Sequence, residues 1–335
     1  MQNRHESIIR AINNSNKKYN ILTFPTHERY QSNLGKLDHT FYLYQGKGIK
    51  PWSTKYGQLP KNHILLDGTE SQIKPDMKFD IVLSQNKYGQ YQTAKQISSY
   101  LNLPLVSIEH TLPFIQWTDK HIKNMTNMRG DIDIFISEYS IEKWQFNKND
   151  PNVRIIEHGI DTSVFKPIDI VKKNHGISCV NDFQNRDWCC GYTQWLQMTK
   201  NINTFLIGDT PGLSLPAKSV SHLVEEYNQA ICFINSSIIS PIPTAVLEAM
   251  ACGLPVITLN NCMLPEIIKD GVNGFISNDI SYLRERYQEL LTNPELASKL
   301  GRNAQKTISQ KFSLDVHLQK WQEIFNEVYG RGHKY

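Results

Sequence analysis

Short apolar runs recur along the chain, each bounded by Gly, Pro, Asn or Asp. In the first half they fall at Asn20 to Phe24, Phe41 to Tyr44, His63 to Leu66, Phe79 to Ser84, Leu105 to Ile108, Ile132 to Ile136 and Val153 to Ile156. In the second half they fall at Ile177 to Asn181, Thr204 to Ile207, Ile231 to Asn235, Pro255 to Leu259 and Phe275-Ile276. Runs of this length and β-branched content read as buried strands. Stretches of helical spacing lie between them: about Tyr30 toward Leu37, Tyr91 to Leu101, Leu223 to Ala230 and Thr244 to Ala251. From Ile280 the positions Leu283, Tyr287, Leu290 and Leu291 keep helical spacing, and Asn293-Pro294-Glu295 opens another helix. Strands alternating with helices predict an α/β protein with doubly wound parallel sheets. Residues 46–78 show no period and read as an irregular insertion around the strand His63 to Leu66.

The stretch SPIPTAVLEAMACGLPVITLNNCMLPEIIKDGVNGFISND, Ser240 to Asp279, is the most informative. Pro241 and Pro243 can open a helix but not continue one. Thr244 to Ala251 follows as a helix that Gly253 ends, then a buried strand, then the turn dipeptides Asp270-Gly271 and Asn273-Gly274. The leading N–H groups of Thr244, Ala245 and Val246, with the helix dipole, make a ready anion site. Glu248, one turn in, can accept a sugar hydroxyl.

Composition narrows the class. The 335 residues are 40% hydrophobic and 20% charged, enough for two ordinary soluble domains. No apolar run approaches the length of a membrane span, and residues 1–20 lack the apolar core of a signal peptide. The six cysteines, at 179, 189, 190, 232, 252 and 262, match no zinc spacing, and reduced thiols in a cytoplasmic protein are expected. The net charge of +4 sits in the first half: residues 1–165 carry 20 Lys+Arg against 16 Asp+Glu, and residues 166–335 carry 16 of each. That bias fits a solvated surface, and also an acidic membrane or a nucleic acid.

LEAMACGLPVI followed by PEIIKDGVNGF resembles the second domain of GT-B glycosyltransferases, in particular the large retaining group called family 4. The resemblance implies two Rossmann-like doubly wound domains facing a central cleft. The expected boundaries are 1–165 for an acceptor-side domain, 166–312 for a nucleotide-sugar donor domain and 313–330 for a helix returning to the first. Glu157-His158-Gly159-Ile160-Asp161 resembles the family's interdomain signature. Glu248 matches the glutamate that holds the nucleotide ribose. The family's other glutamate, which contacts the donor sugar, falls at Ser240, and Cys262-Met263 stands where a Gly-Gly pair is usual. His110, after a strand and before a proline-bearing loop, matches a histidine near the donor sugar's C6 hydroxyl. Gly208-Asp209 resembles a turn of the donor domain. The family's diphosphate-clamping arginine and lysine have no direct counterpart in NDFQNRDWCCGYTQW: Cys190 stands at the lysine's place, and Arg186 is the cation expected to serve the diphosphate. Trp188 and Trp195 read as packing residues.

The acceptor side is expected at 26–31 and 86–91, from His27, Glu28, Arg29, Lys87 and Tyr88, a flat aromatic and cationic surface suited to a base or a sugar ring. Asp131-Ile132-Asp133 spells another glycosyltransferase fold's metal triplet, but it opens a strand here and no metal is expected. FPTHERYQSNL and VNDFQNRDWCCGYTQW resemble glycosyltransferases of tailed phages of marine bacteria. The expected activity is retaining transfer of a sugar from a UDP- or GDP-sugar, without other cofactor, to a cell-envelope glycan or a hydroxymethylated base of phage DNA. The competing reading is a GT-B shell that has lost catalysis and binds nucleotide or glycan.

Overall fold

The computed structural model describes residues 17–46, 48–54, 57–67 and 77–332. Most of the leading segment 1–20, part of the insertion, and residues 333–335 of the tail therefore lie outside the described residues. The chain divides into two compact units, Met1–Ile156 with His317–Tyr335, and Glu157–Val316.

In the first unit seven strands form one sheet: β1 Asn20–Thr23, β2 Thr40–Tyr44, β3 His63–Leu66, β4 Ile81–Ser84, β5 Leu105–Glu109, β6 Ile132–Phe135 and β7 Val153–Ile155. Their order is β3-β2-β1-β4-β5-β6-β7 and every pairing is parallel, with Leu22 beside both Tyr42 and Val82. The order reverses between β1 and β4, so ligands are expected beyond the carboxyl ends of those two strands. β4, β5 and β6 are buried throughout, which is why they read as continuous apolar runs. The helices are α1 Glu28–Leu34, α2 Tyr91–Leu101, α3 Asp119–Met125 and α4 Glu138–Lys143. Side chains of His27, Thr118 and Ser137 cap α1, α3 and α4.

The second unit holds a five-stranded parallel sheet: β8 Gly176–Cys179, β9 Thr204–Ile207, β10 Cys232–Asn235, β11 Val256–Thr258 and β12 Gly274–Ile276. Its order, β12-β11-β10-β8-β9, places the switch point between β8 and β10. The helices are α5 Asp187–Cys190, α6 Tyr192–Thr199, α7 Val220–Gln229, α8 Thr244–Ala251, α9 Leu264–Ile267, α10 Ile280–Thr292 and α11 Pro294–Thr307. A π-turn, Ile308–Phe312, leads to α12 Leu314–Gly332. From His317 onward α12 belongs to the first unit, where Trp321 Nε1 donates to the Tyr30 hydroxyl at 2.7 Å.

The strands fall where the apolar runs put them. Helix α12 runs to Gly332. Helices α3, α4, α5, α6 and α9 are additions that periodicity does not predict. α3 buries only Met125, so it carries no apolar stripe to read.

Candidate active site

At the carboxyl edge of the second sheet, two loops are laced together by main-chain and amide groups. Asn181 Oδ1, just past β8, accepts from the Asp209 N–H at 2.8 Å, and the Asp182 N–H donates to the Asp209 carbonyl at 2.7 Å. Gly208 has φ +139°, and a Cβ there would stand 1.9 Å from the Val180 carbonyl oxygen, so only glycine permits this approach. Asp209 itself is exposed at the turn.

Across the switch point, Gly191 turns the chain from α5 into α6 at φ +70°. Its missing Cβ would lie 2.0 Å from the Ser236 carbonyl oxygen, at the end of β10. Ser236 Oγ donates to the Cys190 carbonyl at 2.9 Å and the Ile238 N–H to that of Cys189 at 2.8 Å. Arg186 is exposed on this turn, its Nη1 3.3 Å from the Asn181 carbonyl oxygen. Cys190, at the expected lysine position, is buried, and burial pushes its thiol up to about 12. A buried neutral thiol cannot replace a cation. Trp195 is buried, its Nε1 donating to Ser178 Oγ at 2.9 Å, but Trp188 is 59% exposed and does not pack as expected.

Helix α8 begins after β10, at the same switch point. Pro243 is its N-cap and supplies no side-chain acceptor. The Val246 N–H donates to the Pro243 carbonyl at 3.0 Å, so the expectation of three open amides is corrected. Those of Thr244 and Ala245 remain, both on half-buried residues, and the geometry of a helix start gives them no intrahelical acceptor. Glu248 is buried one turn in, and the Tyr227 hydroxyl donates to its Oε2 at 3.4 Å. Burial holds the Tyr227 phenol protonated, and the nearby Cys179 and Glu248 act in the same direction. The Ser240 N–H donates to Cys262 Sγ at 3.4 Å, and that thiol in turn donates to the Ile238 carbonyl at 3.4 Å. Cys262 thus ties the loop after β11 to the segment that precedes α8.

The first sheet's carboxyl edge is built from side chains. Gln85, just past β4, donates to Thr23 Oγ1 at 3.1 Å, to the Phe24 carbonyl at 3.3 Å and to Gln31 Oε1. Gln31 Nε2 then faces His63 Nε2 at 2.9 Å. Asn62 Nδ2 donates to two carbonyls, Leu37 and His39, so its Oδ1 faces His63 Nδ1 at 3.0 Å. These partners fix His63 as the neutral Nδ1–H tautomer, and burial lowers its pKa to about 4.

The acceptor-side residues separate. His27 Nδ1 caps α1 by accepting from the Tyr30 N–H at 3.2 Å, and Arg29 is exposed. The ring of His110, at the end of β5, stands 6.1 Å from that of His27 and 4.5 Å, edge on, from that of Tyr30. Glu28 is buried and turned away: its Oε1 accepts from Lys50 Nζ at 3.2 Å and the Ser53 N–H at 3.1 Å, anchoring the insertion.

Lys87 corrects the expected cationic surface most directly. It is fully buried, its ammonium 2.9 Å from Asp133 Oδ1 and also donating to Ser107 Oγ and the Met128 carbonyl. Asp133 Oδ2 accepts from Arg129 Nε at 2.7 Å, and Asp131 Oδ2 from the Leu105 N–H at 2.7 Å. The aspartates of the triplet thus hold the sheet and a buried lysine. Tyr88 is 65% exposed, as expected, and has aromatic company that the sequence reading missed: Phe114 at 6.0 Å and Trp117 at 5.7 Å between ring centroids. The signal was the apolar run Leu112 to Trp117 inside a loop, where Phe114 and Ile115 remain exposed.

Two parallel, doubly wound sheets with these switch points define a GT-B fold. The glycosyl transferases group 1 family profile matches residues 214–307, from the end of the β9 loop through α11 and including α8. Among solved structures, Anabaena HepE in complex with UDP and glucose superposes with a TM-score of 0.72 at 14% identity, covering 91% of this chain and 98% of that one. An exopolysaccharide phosphotransferase of Streptomyces coelicolor is 31% identical over 114 residues, 33% of this chain and 12% of that protein. The capsular polysaccharide biosynthesis glycosyltransferase CapM of Staphylococcus aureus is 26% identical over 136 residues, 40% of this chain and 33% of its own length. The matched stretches therefore span a third or less of these relatives.

Proposed function

We propose that the protein is a glycosyltransferase that moves a sugar from a nucleotide-sugar donor to a glycan hydroxyl with retention of configuration. The observation that carries this reading is the start of α8. Two backbone amides and a helix dipole open at the second sheet's switch point, with a buried carboxylate one turn behind. In this reading Thr244 and Ala245 bind the donor diphosphate, exposed Arg186 adds the cation, and Glu248 accepts a ribose hydroxyl. Ser240, Gly208 and Asp209 shape the surrounding loops. Their chemistry is stabilisation of charge on a leaving diphosphate, with the acceptor hydroxyl entering on the face the phosphate leaves. No step in this scheme requires a metal, since Arg186 and the amides supply the positive potential. UDP and GDP both fit these contacts, which read phosphate and ribose rather than the base. His110, with His27 beside it, positions the sugar.

A glycan is favoured over DNA because the acceptor side lacks the expected lysine. With Lys87 bound to Asp133, the exposed residues of the two expected segments are His27, Arg29, Tyr88 and Gly89, with exposed Phe114 and half-buried Trp117 beside Tyr88. A phosphate backbone needs several accessible cations, whereas a sugar ring stacks on aromatic faces. The test is incubation with a panel of nucleotide sugars on simple glycans and on hydroxymethylated DNA, read by mass spectrometry. Sugar transfer to a glycan, with little dependence on salt, is expected. Transfer to DNA alone would replace the acceptor assignment, and binding of nucleotide without transfer or hydrolysis would favour a catalytically silent shell.

A further inference from the structure

The second unit contains a cavity that the proposed donor site does not use. It lies at the opposite, amino-terminal edge of the second sheet: Asn174 precedes β8, Ile231 precedes β10 and Gly253 precedes β11, and all three line it. Its volume is about 590 Å³, within the range of small-molecule sites. The apolar floor is buried Cys252 and Ala297 with half-buried Ile231 and Leu291, and exposed Ile168 also lines the cavity. Among the described residues, the charged side chains that line it are Lys172 and Arg302, and no carboxylate does.

Both cations have donors to spare. Lys172 Nζ donates to the Ala230 carbonyl at 2.8 Å, leaving two of its three N–H groups. Arg302 Nη1 donates to Ser298 Oγ at 2.7 Å, leaving four of its five. Beyond Arg302 the surface stays basic: a second depression of about 700 Å³ shares that residue and adds Lys166 and Lys306. A shallower one on the other side adds Lys299 against a single acid, Glu295. The start of α11, with Pro294 at the rim, adds positive potential. The carbonyl end of α8 opposes it with roughly half an elementary charge, less than the two side-chain cations supply.

We propose that this cavity is a second binding site, for an organic phosphate with an apolar body. The body fills the apolar floor and the phosphate sits between Lys172 and Arg302. A free phosphate would leave the floor to water, and a neutral apolar molecule would gain nothing from the two cations. Polymeric anions suit open grooves; a concave site of this volume suits one small molecule. Lys172 is exposed as a residue, but partial desolvation lowers its pKa, with Cys252 and Cys232 acting the other way, and an incoming anion offsets that cost.

The probe is 1-naphthyl phosphate, followed by its own fluorescence on the full chain, with 1-naphthol and inorganic phosphate as the two halves. Saturable binding, tighter than either half, is expected. Arg302→Glu should weaken it about tenfold through loss of a charge-assisted hydrogen bond and reversal of the local charge. Ser298→Trp, on an exposed lining position, should block the mouth and abolish binding while the unfolding temperature is unchanged. UDP should not displace the probe. The proposal is overturned if naphthyl phosphate binds no better than inorganic phosphate, if both variants bind as the parent does, or if UDP competes.

Discussion

At the carboxyl edge of the first sheet, polar side chains turn inward and satisfy one another. Gln85, Thr23, Gln31 and His63 form one chain of hydrogen bonds, and Lys87 with Asp133 forms a buried ion pair. At the same edge of the second sheet the backbone does the work, with glycines at Gly191 and Gly208 allowing loops to meet and α8 offering its leading amides. Two sheets with one winding rule therefore end in different chemistry. The first presents exposed rings beside Arg29; the second presents donors for an anion. This difference underlies the proposal that acceptor and donor bind separate domains, and it can be broken at either end.

The largest effect is expected in the first domain. Asp133→Ala removes the partner of a buried ammonium, and breaking a buried pair in this way costs about 3–5 kcal/mol. Chemical denaturation should show that loss in the first unit's transition. In the second domain, Gly191→Ala places a Cβ 2.0 Å from a backbone oxygen at φ +70°. The expected cost is about 3 kcal/mol, the upper end of strain for a non-glycine residue in that region. It should appear as a lower unfolding temperature together with weakened nucleotide binding.

Acid should separate the domains by a smaller margin. His63 has its folded pKa lowered to about 4, against 6.5 for the free side chain. The unfolded state binds the proton first, so stability from this group is present above pH 6.5 and falls as pH drops toward 4. Between pH 7 and pH 5 the loss is about 2 kcal/mol. Unfolding followed at both pH values checks it, and His63→Gln should flatten the slope.

How much of this was legible beforehand follows from where the information sits. Thr244 to Ala251 was readable to the residue, because prolines bound it at one end and glycine follows the other. Strands such as Ile81–Ser84 were readable because burial demands apolar runs. Helix α3 was not, since a cap at Thr118 rather than a periodic face specifies it. The position of Lys87 was also hidden. A lysine in a polar loop reads as exposed, and only the pairing of β5 with β6 brings Asp133 and Ser107 side by side beneath it. Glu248 could be picked out from the sequence, but its partner Tyr227 lies on another helix and could not.

The central claim is that the start of α8 holds the donor nucleotide, and calorimetric titration of UDP and of GDP tests it most directly. The account predicts that one of them binds the parent protein. Glu248→Ala should bind it about tenfold more weakly, as expected for a lost charge-assisted hydrogen bond to ribose, with the fold retained. Binding of neither nucleotide, or an affinity that Glu248→Ala leaves unchanged, would contradict the account.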